Sequence, residues 1–345
     1  MAVITAMATA LPDLDFQEDF RRWVRGRLAG TRQAAIYERM DARSGIDHRW
    51  SVLGRADAQL NLGAGFYGDD AAPPTTSQRM ALYTKHAPEL ALKAIGGLPD
   101  TAGITHLVVA SCTGFVAPGI DQIVARRLGL AADVERVLIG FMGCYAAITA
   151  LRTARHIVRS EPDARVLVVT VELSSLHHRA YDRIEPLMAV SQFGDGAAAA
   201  VVSATGAGLE LRDPLSIALV DSEELIRWDI GDHGFEMHLS GEVPGRIAAA
   251  LNDPAIRQTI GGPFDAYAVH AGGRSILDAV EKGLELSPDA LDHSRDVLRT
   301  CGNMSSSTLM FVLERVMRDR PASGVALAFG PGLAMEGLRF GWQDA

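Results

Sequence analysis

The chain opens on an apolar stretch, Met1 to Leu11, that runs directly into Asp13, Asp15, Glu18 and Asp19. With no basic flank before it, this stretch predicts a first buried strand and not a secretory leader. Residues 12–100 are the most polar part, and Phe16 to Leu28 and Gln33 to Ser44 predict helices with charged faces. Ala71 to Ser77 (AAPPTTS) predicts a loop that caps a helix starting near Gln78. From about residue 103 short β-branched runs alternate with helical ones. Strands are predicted at Thr105–Ala110, Val137–Ile139, Arg165–Val171, Ala197–Val202, Ala266–His270 and Gly324–Phe329. Helices are predicted between them at about 119–128, 145–158, 274–285 and 305–318. In the last, Leu309, Val312, Leu313, Val316 and Met317 recur at helical spacing. Strands alternating with helices imply α/β layers, and continuous apolar strands imply sheets covered on both faces. Phe193–Val202 (FGDGAAAAVV) and Val325–Leu333 (VALAFGPGL) echo one another. Two related halves meeting near 205–212 would fit.

Composition narrows the function classes. In 345 residues, 33 Lys and Arg stand against 42 Asp and Glu, a net charge of −9, which argues against a nucleic-acid footprint. Local arginines can still hold a phosphate in an acidic protein. No apolar run reaches the length of a membrane span. Cys112, Cys144 and Cys301 are odd in number, a poor disulfide framework that suggests a reducing compartment, the cytoplasm.

Three junctions carry chemistry. In Gly140–Ala147 (GFMGCYAA) a strand ends, two glycines flank a turn, and Cys144 opens a helix. The positive end of the helix dipole favours a thiolate there, although an isolated cysteine is more often a small buried hydrophobe. In Ala266–Leu277 (AYAVHAGGRSIL) a strand delivers His270 into a glycine turn; imidazole suits proton transfer, and a satisfied strand-end histidine is an equally good reading. In Cys301–Leu309 (CGNMSSSTL) Asn303 is either a helix cap or an oxyanion donor. A thiol, an imidazole and an amide at such junctions are the parts that covalent acyl transfer needs.

At these segments the sequence resembles the type III polyketide synthases, the chalcone-synthase-like branch of the thiolase superfamily. GFMGCYAA, SQFGDGAAAAVV, VHAGGRSILDAVE, CGNMSSST and FGPGLAME carry the resemblance, and RMDARSGIDHR at Arg39–Arg49 extends it towards the N-terminus. The resemblance implies a homodimer, a thiolase-like duplicated αβαβα layered fold, and acyl-CoA starters with malonyl-CoA extenders. It implies no metal and no further cofactor. Residues 1–208 would form the half bearing the nucleophile, and 209–345 the half bearing histidine and asparagine. Cys144 would take the starter acyl group, His270 would hold it as thiolate in an ion pair, and His270 with Asn303 would stabilise the enolate of decarboxylated malonyl-CoA. Phe193 matches an aromatic at the constriction between the CoA tunnel and the cavity. Its partner falls on Met237, where plant enzymes carry Phe. Cys112, Trp228, His177, Ser174 and Ser305 match cavity positions, and Ala117 matches a residue that crosses the dimer interface. Arg39 and Arg43 match two basic CoA contacts, while the third falls on Ile36. Core packing and solvated helix faces are the plain alternatives for these residues.

Gly63–Gly68 (GAGFYG) has dinucleotide-type glycine spacing but no strand before it, so a nucleotide fold is not expected. No histidine, cysteine or carboxylate spacing suggests zinc. Two rivals remain at this level: a condensing enzyme dependent on acyl carrier protein, and a non-catalytic dimeric partner. The starter is expected to be a medium- to long-chain acyl group giving an alkylpyrone or alkylresorcinol, with a naphthalene-type product from malonyl-CoA alone as the runner-up.

Overall fold

The computed structural model describes residues 1–54, 66–67, 73–179, 181 and 184–345; most of the Gly63–Gly68 motif and the start of the Ala71–Ser77 loop lie outside them. The chain begins with β1 (Val3–Ala10), β2 (Leu14–Asp15), α1 (Gln17–Leu28), α2 (Arg32–Asp41), β3 (Trp50–Ser51) and α3 (Thr76–Ile95). It continues through β4 (His106–Ser111), α4 (Ile120–Leu128), β5 (Glu135–Gly140), α5 (Ala146–Ser160), β6 (Val166–Leu173), α6 (Ile184–Val190) and β7 (Asp195–Ser203). A short turn leads to β8 (Gly208–Ala218), the hairpin β9 (Ile226–Gly231) and β10 (Gly234–Leu239), α7 (Val243–Asn252) and α8 (Pro254–Ile260). Last come β11 (Ala266–Val269), α9 (Arg274–Leu284), α10 (Asp292–Cys301), α11 (Ser306–Asp319), β12 (Gly324–Gly330) and β13 (Ala334–Gln343).

Nine strands run in the order β11-β12-β13-β8-β1-β7-β6-β4-β5. The two halves meet where β1 pairs briefly with β8, Val3 opposite Glu210 and Ile4 opposite Leu209. On either side of that seam the same pattern repeats. The first strand of each half pairs antiparallel with its last, β1 with β7 and β8 with β13. The last strand then pairs antiparallel with the one before it in sequence, and a parallel strand follows, β6–β4 and β12–β11. The glycine echo therefore lies in the turns that precede the last strand of each half. FGDG leads into β7 and FGPG into β13, whereas β12 is the counterpart of β6.

The strand sequences explain the layers. Val166 and Val168 of β6 face a core shared with α5 and α11, and Leu167, Val169 and Val171 face the core under α3 and α4. In β12, Ala326 and Ala328 face the same α5–α11 core, while Val325, Leu327 and Phe329 face α7 and α9. Alternate positions are buried on both sides, so the runs are continuously apolar. Alanines of β7 and β12 on the inner faces let the α5–α11 pair sit close between the two halves of the sheet. The result is five layers, αβαβα. α3 is secured by a capping box in which Thr75 and Gln78 satisfy each other's backbone N–H groups.

Candidate active site

Cys144 follows the end of β5, in a single tight turn (Gly143–Tyr145) that leads into α5. Phe141 has a positive φ of 57°, unusual for a side-chain-bearing residue. Gly143 has φ +72°, and a Cβ there would lie 2.4 Å from Pro331 Cδ in the FGPG turn. Only glycine lets the turn of one half press against that of the other. Cys144 is thus held at the helix start, where the sequence anticipates it.

His270 follows the end of β11, and its backbone N–H donates to the Leu327 carbonyl at 2.8 Å. Its ring is buried, and neither Nδ1 nor Nε2 has a hydrogen-bond partner. A buried ring with both nitrogens free is an exception to the usual rule of satisfaction. Gly272 lies against it, where a Cβ would be 3.4 Å from both Cδ2 and Nε2.

Asn303 does not follow a strand, contrary to the third junction expected. It lies between α10 and α11, after Gly302 with φ +69°, and makes a parallel bridge with Phe193. Its N–H donates to the Gln192 carbonyl at 2.8 Å, and the Gly194 N–H donates to its carbonyl at 3.0 Å. The side chain is oriented unambiguously. Oδ1 accepts from the Ser305 N–H at 2.8 Å, and Nδ2 donates to the Gly272 carbonyl at 3.1 Å. One amide hydrogen is thereby used on the carbonyl of Gly272, two residues after His270, and the other makes no hydrogen bond with a described residue.

Ser305 completes the connection. Its Oγ lies 3.8 Å from Cys144 Sγ and 3.0 Å from Cys112 Sγ. Its backbone sits at φ +48°, ψ −129°, a region sparsely used by non-glycine residues. From Gly272, beside His270, through Asn303 and Ser305 to Cys144, the three expected catalytic residues form one contiguous buried group drawn from both halves of the chain.

Electrostatically the resting group is neutral. Burial pushes the Cys144 thiol up to about 12, partly offset by the Ser305 hydroxyl and reinforced by the Glu172 charge. Burial pulls the His270 imidazole down to about 3. The hydrogen-bond partner of Sγ in this arrangement is the Ser305 hydroxyl.

A narrow void of about 20 Å³ adjoins Cys144, lined by Cys112, Ser174, Phe193, Trp228, Met237 and Ser305, as the resemblance implied, and also by Thr113, Ile226 and Pro331. Trp228 and Met237 stand directly opposite one another in the β9–β10 hairpin, and Trp228 Nε1 donates to the Cys112 carbonyl at 3.0 Å. Two expected pocket residues do not line this void. His177 has both nitrogens committed: Nε2 donates to the Thr113 carbonyl at 2.7 Å, and Nδ1 accepts from the Phe235 N–H at 3.0 Å. Its ring stacks on Phe235 at 4.2 Å, so it braces the hairpin behind the site. Ala117 is exposed on the surface, next to the cis Ala117–Pro118 bond.

Sequence patterns passed over Glu172. This carboxylate is fully buried at the end of β6 and accepts from the Cys112 N–H at 3.0 Å, Thr113 Oγ1 at 2.8 Å and the Ser306 hydroxyl. Burial raises its pKa, and these donors oppose the rise. An acidic residue inside an otherwise apolar strand run (VLVVTVEL) was the available signal.

Arg39 and Arg43 are exposed, and neither forms an ion pair with a described residue. Arg274 at the start of α9 donates from Nη1 to the Arg43 carbonyl at 3.4 Å, adding a cation beside Arg43 that the Ile36 position lacks. Among the described residues one group has metal-like spacing: His106 Nε2 is 3.8 Å from carboxylates of both Glu135 and Glu161. It lies at the starts of β4 and β5, the opposite end of the strands from Cys144.

The comparisons agree with this geometry. The family model of the chalcone and stilbene synthases matches as its N-terminal domain over residues 1–206 and as its C-terminal domain over 210–341. The chain is 34% identical to the alpha-pyrone synthesis polyketide synthase-like Pks18 of Mycobacterium tuberculosis, over 99% of this chain and 91% of that protein. It is 33% identical to type III polyketide synthase A of Arabidopsis thaliana, over 77% of this chain and 74% of that one. The crystal structure of PKS-I from the brown alga Ectocarpus siliculosus superposes with a TM-score of 0.89 at 30% identity, covering 99% of this chain and 98% of that chain. With both family domains matched in order and the Cys, His and Asn in one buried group, the chain belongs to the type III polyketide synthases, the acyl-transferring enzymes of the chalcone and stilbene synthase family.

Proposed function

We propose that this enzyme builds polyketides from a medium- to long-chain acyl-CoA starter by repeated decarboxylative condensation of malonyl-CoA. Cys144 Sγ attacks the starter thioester and CoA leaves, while His270 takes the thiol proton. Malonyl-CoA then binds with its thioester oxygen towards His270 and the spare amide hydrogen of Asn303. Loss of CO₂ leaves an enolate, which attacks the Cys144 thioester. Sγ departs as thiolate and is acylated again by the lengthened chain. The observation that carries this reading is the buried run of contacts from Cys144 through Ser305 and Asn303 to Gly272, beside a His270 ring whose two nitrogens have no hydrogen-bond partner. Donors fixed before reaction, in a site closed to water, are the usual means of stabilising such an oxyanion.

Ile226 and Met237 in the lining support an apolar starter, and so does the Mycobacterium tuberculosis relative named for alpha-pyrone synthesis. An alkylpyrone or alkylresorcinol is the product this reading favours. Arg39, Arg43 and Arg274 would hold the CoA phosphates. A homodimer is supported by β5, an edge strand whose Val137 and Leu138 are 39% and 47% exposed, with Phe115 nearby at 45%. Three free thiols suit the reducing cytoplasm.

The test is incubation with malonyl-CoA and a series of acyl-CoA starters, without carrier protein, followed by mass spectrometry of the products. Products that incorporate the starter and favour the longer chains are expected. A product made from malonyl-CoA alone and indifferent to added starters would replace this reading with malonyl-only priming. Activity that needs acyl carrier protein would overturn it altogether.

A further inference from the structure

Arg49 is among the largest fully buried side chains of the protein, yet no described carboxylate forms an ion pair with it. Its guanidinium lies 4.6 Å from the ring centre of Phe16 and 4.3 Å from that of Phe20. Nε donates to the Gln17 side chain. Nη1 donates to two carbonyls, that of Val190 at the end of α6 at 3.0 Å and that of Phe193 in the loop after it at 2.9 Å. Nη2 has no hydrogen-bond partner. A buried cation without a counter-ion and with an orphaned N–H is a poor way to gain stability. What it achieves instead is geometric.

The loop it grips carries the aromatic that lines the void at Cys144, and that loop is bonded on its other side to Asn303. Gln192 and Gly194 exchange backbone hydrogen bonds with Asn303, so residues 192–194 and 303 move as one piece. Gly302 presses on the same arginine, since a Cβ there would lie 2.7 Å from Arg49 Cγ. A second latch runs parallel to the first: Trp50 Nε1 donates to the Thr300 carbonyl at 3.0 Å, at the end of α10. Arg49 thus touches both the loop bearing the constriction and the turn bearing the amide, without reaching the void itself.

We propose that Arg49 is a positioning residue for the condensation step, fixing Phe193 and, through the backbone bridge, the Asn303 amide in register with Cys144 and His270. This rests on the functional reading given above. Acyl loading needs Cys144 and its base, whereas decarboxylation needs the Asn303 amide in place, so the two half-reactions separate the roles. Misplacement of a catalytic group by about 1 Å can cost on the order of 100-fold in rate.

The experiment compares wild type, Arg49→Met and Arg49→Lys in the full chain. Acylated Cys144 is quantified by intact mass, and malonyl-CoA decarboxylation is measured per loadable site. Arg49→Met is expected to load at the wild-type rate per folded molecule but to decarboxylate about 10–100-fold more slowly. Arg49→Lys, which keeps the charge but loses the two-pronged grip, is expected in between. A merely structural role would lower both half-reactions together, in proportion to the folded fraction, and that result overturns the proposal. So does an unchanged decarboxylation rate per loadable site. Should Arg49→Met fail to fold, Gln17→Met loosens the same guanidinium while leaving it in place, and the same split between half-reactions is required of it. Asn303→Ala serves as the control. If it decarboxylates like wild type, the functional reading fails, whatever Arg49 does.

Discussion

Replacing His270 by Gln, which keeps much of the volume but cannot take a proton, probes how a buried thiol becomes a nucleophile. Burial is the main cause that holds the Cys144 thiol at about 12 and the His270 ring at about 3, so each is strongly disfavoured as a lone charge. At pH 7 an isolated thiol of that kind would be thiolate in only about one molecule in 10⁵. Formed together, the two charges stabilise one another. An attraction of about 4 kcal/mol recovers only about 10³ of the roughly 10⁹ cost of moving the proton from thiol to imidazole, so the standing pair adds little, and the imidazole matters by taking the proton as this small reactive population forms. Iodoacetamide labelling of Cys144, resolved by mass spectrometry, reads this population. Cys112 and Cys301 serve as internal standards, since burial raises both of their pKa values as well. His270→Gln is expected to slow Cys144 labelling at pH 7 by about 10²–10⁴-fold, the usual worth of a positioned general base. Labelling in the variant should then climb about tenfold per pH unit into the alkaline range. Equal labelling of Cys144 in variant and wild type, with the same pH profile, would refute the idea that the imidazole is the base.

The depressed imidazoles also bear on stability. His177 and His270 both fall to about 3 when folded, from 6.5, so the unfolded chain binds their protons first. Their contribution is complete above pH 6.5 and is lost as pH falls towards 3, at up to about 1.4 kcal/mol per pH unit for each histidine. Urea midpoints from pH 7 to pH 4 should fall accordingly, and His177→Gln should remove one histidine's share of the slope. Gly143→Ala should destabilise the fold by about 2–4 kcal/mol, from its left-handed backbone and the contact with Pro331, in chemical denaturation. On the homodimer proposed above, Val137→Glu with Leu138→Glu on the edge strand should give a monomer in analytical ultracentrifugation where wild type gives a dimer; the same mass for both would count against this contact surface.

Where both faces of a strand are buried, the residues say so plainly. RVLVVTV and the alanine run of β7 read as strands because nothing polar interrupts them, and α11 reads as a helix from its apolar spacing. Elements with one open face were harder. β8 contains Asp213 and Pro214, β9 reads IRWDIG, and α10 is mostly polar, so each passes for surface loop until its partners are present. Cys144 was legible because a strand, two glycines and a helix start leave a local signature. Asn303 was recognised by resemblance, but its placement depends on a bridge to Phe193, 110 positions away, which no local pattern encodes. His177 shows the same limit. Its two backbone partners, Thr113 and Phe235, come from distant segments and turn an apparent pocket residue into a brace. The protonation state of the site is likewise set by enclosure, a property of the folded whole.

The space beside Cys144 has room for about one water molecule, far less than any acyl chain. Under the function proposed above, the acyl chain on Cys144 would find its room by displacing packed side chains. The flexible Met237 would yield to it before Trp228, which is tethered through its indole N–H. Chain length would then become a matter of compliance, with growth ending where the next increment meets a wall stiffer than one more condensation can displace.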